Sequence, residues 1–256
     1  MARFDALSDD REILAFLHDV ADAAADVIDD LGDWEMTGDR EGQYSGDVAV
    51  DEVVVDMCEA AGFAVFSEES GAGDWTPGDD RLLVVVDPVD GSTNASRGLP
   101  WFATSLCVVD PEGPRVALVA EQSGSETRYG AIRGVGANVD GVGLRVLPRH
   151  DLGGAVVGVN GVADRDHPWW QVRQMGAASL DISLVARGAL DGWVDFHGHG
   201  VWDYLAALLI CTEAGAVVAD AHGRDLVVFE HDARRQPVVA NSTEMLESLL
   251  AAVHNR

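Results

Sequence analysis

Val84-Val85-Val86-Asp87-Pro88-Val89-Asp90-Gly91-Ser92-Thr93-Asn94 is the stretch on which the reading of this chain turns. The apolar, β-branched run that begins at Leu82 predicts a buried strand over residues 82–86. It stops on two carboxylates three residues apart, followed by glycine and two hydroxyl residues. Carboxylates held together at a buried strand end repel each other, and a divalent cation is the usual remedy. Free backbone N–H groups just beyond, where a helix can begin, suit a phosphate. The first expectation is therefore a metal and a phosphate at one strand end.

Working outward, apolar residues from Ile13 to Leu31 fall at helical spacing behind the cap Ser8-Asp9-Asp10, which predicts a helix over 9–31. A second helix is expected over 48–60, closed by Gly62, and carries Asp51. A short strand over 63–66 runs into Ser67-Glu68-Glu69-Ser70-Gly71. On the other side, apolar runs over 105–109, 116–120 and 144–147 alternate with turn signals and predict an antiparallel sheet. Beyond residue 148, strands over 155–159, 193–196, 216–219 and 237–241 are expected. Helices near 177–186, over 202–214 and from 243 accompany them. This is a layered α/β architecture with a soft boundary, 1–147 and 148–256, forming one catalytic unit.

Composition narrows the function. The 256 residues include 44 acidic and 17 basic ones, net −27, and every basic residue is arginine. Such a surface repels itself in dilute buffer but is screened within a few Å near 1 M salt, so the chain reads as built for the cytoplasm of a high-salt organism. A hydrophobic content of 47% excludes a disordered acidic protein. The charge argues against nucleic-acid or anionic-membrane partners. No signal-peptide core opens the chain. Cys58, Cys107 and Cys211 lack metal-ligand spacing and read as reduced core thiols.

In so acidic a chain a lone aspartate pair proves nothing. Taken singly, Asp203 reads as a helix N-cap and Glu68 as a solvated loop acid. Their order is what counts. Glu68-Glu69-Ser70, then Asp87-Pro88-Val89-Asp90-Gly91-Ser92-Thr93-Asn94, then Trp202-Asp203 with Glu213-Ala214-Gly215, resemble the inositol monophosphatase family. Gly176-Ala177-Ala178-Ser179-Leu180-Asp181 and Val238-Val239-Ala240-Asn241 agree, and the likeness is collinear from about residue 45 to 245.

That resemblance implies an αβαβα sandwich of stacked helices and mixed or antiparallel sheets. It implies a Mg²⁺-dependent, lithium-sensitive phosphomonoesterase with two or three ions per site, and a homodimer. Position by position it implies Glu68, Asp87 and the Val89 carbonyl on one Mg²⁺, and Asp87, Asp90 and Asp203 on a second. Ser92 stands where the family usually carries threonine, as the water-activating hydroxyl. Asp51 is implied as its acidic partner, with Glu68 orienting the water. Gly91 and Ser92 would hold the phosphate, and Ala178, Asp195 and Arg97 would contact substrate. The chain departs from the family at Asp47, where a threonine is usual, and in having no lysine in the preceding loop, where Arg40 is the nearest cation. His197 and His199 are glycine-flanked and read as structural or solvated.

A haloacid-dehalogenase-type phosphatase is rejected, because its two aspartates stand two residues apart, not three. A non-catalytic scaffold is the different-class alternative. Among substrates, the segment Asn94-Ala95-Ser96-Arg97-Gly98-Leu99-Pro100 is closest to the archaeal branch, whose members often hydrolyse fructose 1,6-bisphosphate as well as inositol phosphates. The expectation is inositol-1-phosphate first and fructose 1,6-bisphosphate next, with 3′-phosphoadenosine or NADP phosphates behind them.

Overall fold

Asp9 accepts the N–H groups of Arg11 and Glu12, and α1 runs from there over Asp10–Asp30 with Ile13, Leu17, Val20, Ala21 and Ala24 buried along one stripe. The computed structural model describes residues 3–38, 42–73, 75–76, 78–161 and 167–254. After α1 come α2 (Ser45–Ala60), β1 (Ala64–Ser67), β2 (Leu83–Asp90), the short α3 (Ser92–Ser96), β3 (Ala103–Asp110), β4 (Gly113–Glu121), β5 (Arg128–Ile132), β6 (Gly136–Val139) and β7 (Val142–Gly143). Then follow β8 (Val156–Asn160), β9 (Gln171–Arg173), α4 (Ala178–Ala186), β10 (Gly192–Asp195), α5 (Val201–Glu213), β11 (Val217–Asp220), β12 (Pro237–Ala240) and α6 (Thr243–His254).

Strands β1 to β7 form one sheet in chain order, parallel at β1–β2 and antiparallel beyond. The second sheet has the order β11-β12-β10-β8-β9, with β8 parallel to β9 and β10. Alternation along β2 separates two cores. Val84 and Val86 pack with α1 and α2, while Leu83 and Val85 face the residues of α4 and α5. Trp193 of β10 and Val239 of β12 join that second core from beneath, and Val157, Val194 and Val238 point the other way onto Met245, Leu249 and Val253 of α6. The layers are thus helices, sheet, helices, sheet, helix, the αβαβα arrangement expected. Among the described residues no helix is long and apolar enough to cross a membrane.

Four elements differ from expectation. Strand β2 does not stop at Val86 but continues to Asp90, which pairs with Ala103 beyond an irregularity in the ladder. Helix α2 begins at Ser45, because Asp47 accepts the N–H of Tyr44 at 2.9 Å and closes the first turn. Residues 144–147 form no strand: the Leu144 N–H goes to the Ala137 carbonyl and the Val146 N–H to that of Ala214, so the segment leaves the sheet for the end of α5. The short edge strand β9 carries no sequence signal beyond three alternating residues.

Candidate active site

The irregularity in β2 is what assembles the site. Asp87 pairs with Ser105 and Asp90 with Ala103, so Pro88 and Val89 together oppose Thr104. In a regular strand, residues three apart face opposite sides. One extra residue restores them to one side. Accordingly Val89 packs into the α1/α2 core while Asp87 and Asp90 turn toward α4 and α5. Pro88 suits the bulge because it has no N–H to leave unpaired, and its carbonyl accepts the Thr104 hydroxyl at 2.9 Å.

Gly91 then turns the chain into α3 at φ 89°. A Cβ there would lie 3.1 Å from the Ala177 Cβ and from the Gly176 and Trp101 carbonyls, so conformation and space both require glycine. The first N–H groups of α3, at Ser92 and Thr93, precede any intrahelical partner.

Glu68 follows β1, next to β2 in the sheet, and its backbone is anchored twice. Its N–H goes to the Val86 carbonyl at 3.1 Å, and its carbonyl lies 2.9 Å from His231 Nε2. The His231 ring in turn lies tilted against that of Trp202, with centroids 4.7 Å apart. Asp203 sits in the first turn of α5, its N–H on the Gly200 carbonyl, so the N-cap role it could have filled is taken by the glycine. One carboxylate oxygen each from Glu68, Asp87 and Asp203 lie within 4.8 Å of one another.

Asp87 is the centre of this group. Both its oxygens are shielded from solvent and receive no hydrogen bond from the described residues. Burial pushes its carboxyl well above the usual carboxylate range, and the charges of Glu68, Asp90, Asp203 and Asp47 push the same way. Burial likewise pushes Asp203 up to about 6, against the pull of His199 and with the charge of Asp90 behind it. A donorless buried carboxylate flanked by two more, all hard oxygen ligands, fits a divalent cation such as Mg²⁺.

Asp90 stands beside this trio and is occupied differently. Its oxygens accept the N–H of Ala178 at 2.9 Å and both the N–H and hydroxyl of Ser179, at 2.6 and 2.5 Å, tying the first turn of α4 to the end of β2. Burial still raises its carboxyl. Ala178 is therefore a backbone donor to Asp90.

Asp51, on the buried face of α2, accepts the hydroxyl of Ser67, and no hydrogen bond with Ser92 is found among those described. Ser67 Oγ also accepts the N–H of Glu69 at 3.1 Å, so Asp51 is linked to the segment carrying Glu68.

Asp195 is fully buried at the end of β10. One oxygen accepts from Asn160 Nδ2 and from the N–H groups of His197 and Gly198, each at 2.9 Å. The other is 2.7 Å from His199 Nδ1. Burial works against its charge, but His199 and these donors hold it below the usual range. Arg97 is exposed at the C-terminal end of α3, and Arg40 lies outside the described residues. His197 is exposed, as read from sequence, whereas His199 is largely buried. Burial opposes its protonation, yet Asp203, Asp195 and Asp90 push it up to about 9.

Sequence reasoning passed over Ser67, Ser179 and His231. The first precedes Glu68 in its motif without a role of its own, the second lies within Gly176–Asp181, and nothing near His231 marks it.

The chain is similar to known proteins in sequence and in fold. A fructose-1,6-bisphosphatase of Pyrococcus furiosus is 30% identical over 211 residues, which is 80% of this chain and 81% of that protein. The Nus factor SuhB of Escherichia coli K12 is 29% identical over 221 residues, 80% of this chain and 79% of the other. A Pyrococcus horikoshii structure, described as having similarities to inositol-1 monophosphatase, superposes with a TM-score of 0.79 at 25% identity, covering 94% of this chain and 96% of that one. The model of the inositol monophosphatase family matches residues 9–256. The chain belongs to the inositol monophosphatase family and is a phosphoric monoester hydrolase.

Proposed function

We propose that this enzyme is a Mg²⁺-dependent phosphatase of sugar or polyol phosphates, acting on inositol-1-phosphate and, second, on fructose 1,6-bisphosphate. The carrying observation is Asp87, buried with two donorless oxygens between Glu68 and Asp203. Residues 1–147 would supply Glu68, Asp87, the Val89 carbonyl and, beside its bonds to Ala178 and Ser179, Asp90 to the cations, and 148–256 would supply Asp203, so both portions would act as one unit. When bound, the divalent cation lowers the pKa of a water ligand and neutralises charge on the leaving oxygen.

The chain's own groups do the rest. The backbone N–H groups at Gly91 and Ser92 hold the phosphate at the start of α3. Glu68 and the Ser92 hydroxyl orient the attacking water in line with the ester oxygen. Asp51 contributes by fixing the Ser67–Glu69 segment through the Ser67 hydroxyl. The bisphosphate reading is favoured over nucleotide substrates by the name of the Pyrococcus relative.

Lithium inhibition, a homodimer and a cytoplasmic high-salt setting belong to the same reading, carried by family resemblance and by the net charge of −27. Phosphate release from inositol-1-phosphate, fructose 1,6-bisphosphate and adenosine 3′,5′-bisphosphate, with Mg²⁺ in molar KCl, tests it. The expected order of kcat/KM is the order just given, with no turnover after chelation. No release from any of the three overturns the proposal. Melting curves in molar and dilute salt test the high-salt setting, and equal stability in both refutes it.

A further inference from the structure

At the end of α4 remote from Asp90 lies a cavity of 350 Å³ bordered by Arg145, Arg149, Arg187, Gly188, Asp191 and Asn241. The helix starts at Ala178, whose N–H is on Asp90, and its length puts the cavity roughly 13 Å from that acid. The cavity runs against the charge of the chain. Three arginines meet there with a single acid, in a protein of net −27.

That acid is already satisfied. Asp191 accepts hydrogen bonds from Arg149 Nε at 2.8 Å, the Val156 N–H at 2.9 Å and Asn241 Nδ2 at 3.2 Å. Asn241 is buried and accepts the Arg149 N–H at 3.2 Å, so Arg149 is fixed at backbone and side chain. The Val146 N–H on the Ala214 carbonyl and the Ser242 hydroxyl on the Arg149 carbonyl pin the segment between them. Arg187 donates to the Tyr129 hydroxyl at 3.3 Å. The Arg145 side chain has no ion pair or hydrogen bond among the described residues, in a chain with 44 acids to choose from. A guanidinium left uncompensated beside two others, on the wall of a cavity, suits an anion.

We propose that this cavity is a second ligand site, separate from the reacting centre, that takes the phosphate group of a small phosphomonoester on Arg145, Arg149 and Arg187. Three planar forks from different parts of the chain match a phosphate, whose oxygens face several ways, better than a carboxylate with two. The volume exceeds that of a bare phosphate ion, and Leu147 and Pro148 give an apolar wall for a carbon skeleton. A nucleic acid would run past the cavity onto an acidic surface that repels it. In molar salt attraction is screened within about 3 Å, so direct contact with the guanidinium groups is what holds the anion. The site uses neither the cation nor the catalytic acids, and it stands or falls apart from the phosphatase reading.

Counting phosphate sites tests it. The full-length protein in molar KCl is titrated calorimetrically with inorganic phosphate, once with Mg²⁺ and once with chelator. Two sites are expected with Mg²⁺, the active centre and the arginine cavity, and one with chelator. Replacing Arg145→Gln and Arg187→Gln together should weaken the chelator-resistant site about tenfold or more, with the melting temperature and the initial rate of phosphate release unchanged. Fructose 6-phosphate, which stays intact under chelator, should bind that site more tightly than inorganic phosphate, and equal affinity overturns the ester as ligand. No binding under chelator, or binding that the double variant leaves as it was, overturns the site. A single site under both conditions, lost in the double variant, upholds the cavity and removes phosphate from the active centre.

Discussion

Asp87 and Asp195 are both buried aspartates of β-strands, one in each sheet, and their surroundings are opposite. Asp195 faces four donors and is held below the usual carboxylate range. Asp87 has no donor among the described residues and is pushed well above it by burial and by four neighbouring acids. Residue type and burial are shared, so neither distinguishes a structural acid from a ligand. The donor environment does. Donors complete the coordination of Asp195 within the protein, while Asp87 is left for a cation to complete. Asp220, at the end of β11, repeats the first case, with Arg224 and three backbone N–H groups around it.

The sharpest way to break this comparison is Asp87→Asn. Removing the central charge should cost about a thousandfold or more in phosphate release, since cation binding contributes several kcal/mol to the transition state. The same change should raise the melting temperature of the metal-free protein, because a strained buried charge is gone. Activity retained, or a fall in metal-free stability, would place Asp87 with Asp195.

The converse is Asp195→Ala, which leaves the Asn160 amide, two backbone N–H groups and the His199 ring without their acceptor. A destabilisation of about 3 kcal/mol in denaturant unfolding is expected. A loss below about 1 kcal/mol would show that water replaces the carboxylate and that Asp195 is not structural.

The two acids also differ in pH response. Asp87 and Asp203 have folded-state values above their unfolded ones, so their favourable contribution is complete at low pH and fades as pH rises, through about 6 for Asp203. Metal-free protein should therefore lose stability through Asp203 between about pH 4 and 7, and through Asp87 as pH rises above the ordinary carboxylate range. Mg²⁺ should reverse the loss, by about 2.7 kcal/mol at a hundred times its Kd. Melting temperatures against pH in molar KCl, with Mg²⁺ and with chelator, read both effects. Identical curves would remove the cation from the site. Asp195 has the opposite sign: its depressed value gives stability that is present at neutral pH and lost on acidification.

The smallest expected effect is that of Ser67→Ala. It removes one hydroxyl from the link between Asp51 and the segment carrying Glu68, at a cost of about 1 kcal/mol in stability and less than tenfold in kcat. A drop in kcat as large as that of Asp87→Asn would mean that Asp51 acts on the reacting atoms directly.

The chain of acids Glu68, Asp87, Asp90 and Asp203 was legible because the family motifs are short, local and collinear. The strand before Asp87 and the helix after Trp202 were legible from apolar periodicity. The terminal boundaries were not, since side-chain acceptors such as Asp47 extend a helix against its propensity. The continuation of β2 past Pro88 was hidden because a bulge has no hydrophobic period. His199 read as a loop histidine because its partners, Asp195 and Arg235, become neighbours through the strand end and the turn around it, features that periodicity does not report.

By itself, then, the sequence determined the layered fold, the family and the order of the acids that gather at one site, because these depend on residue order and on local patterning. Only the tertiary structure decided what each acid does. It put Asp87 and Asp90 on one side of β2, gave Asp90 to the first turn of α4, bound Asp51 to Ser67, and surrounded Asp195 with donors while leaving Asp87 with none. The physical reason is that a carboxylate's role is set by the donors and charges within a few Å of it, and most of those arrive from distant parts of the chain.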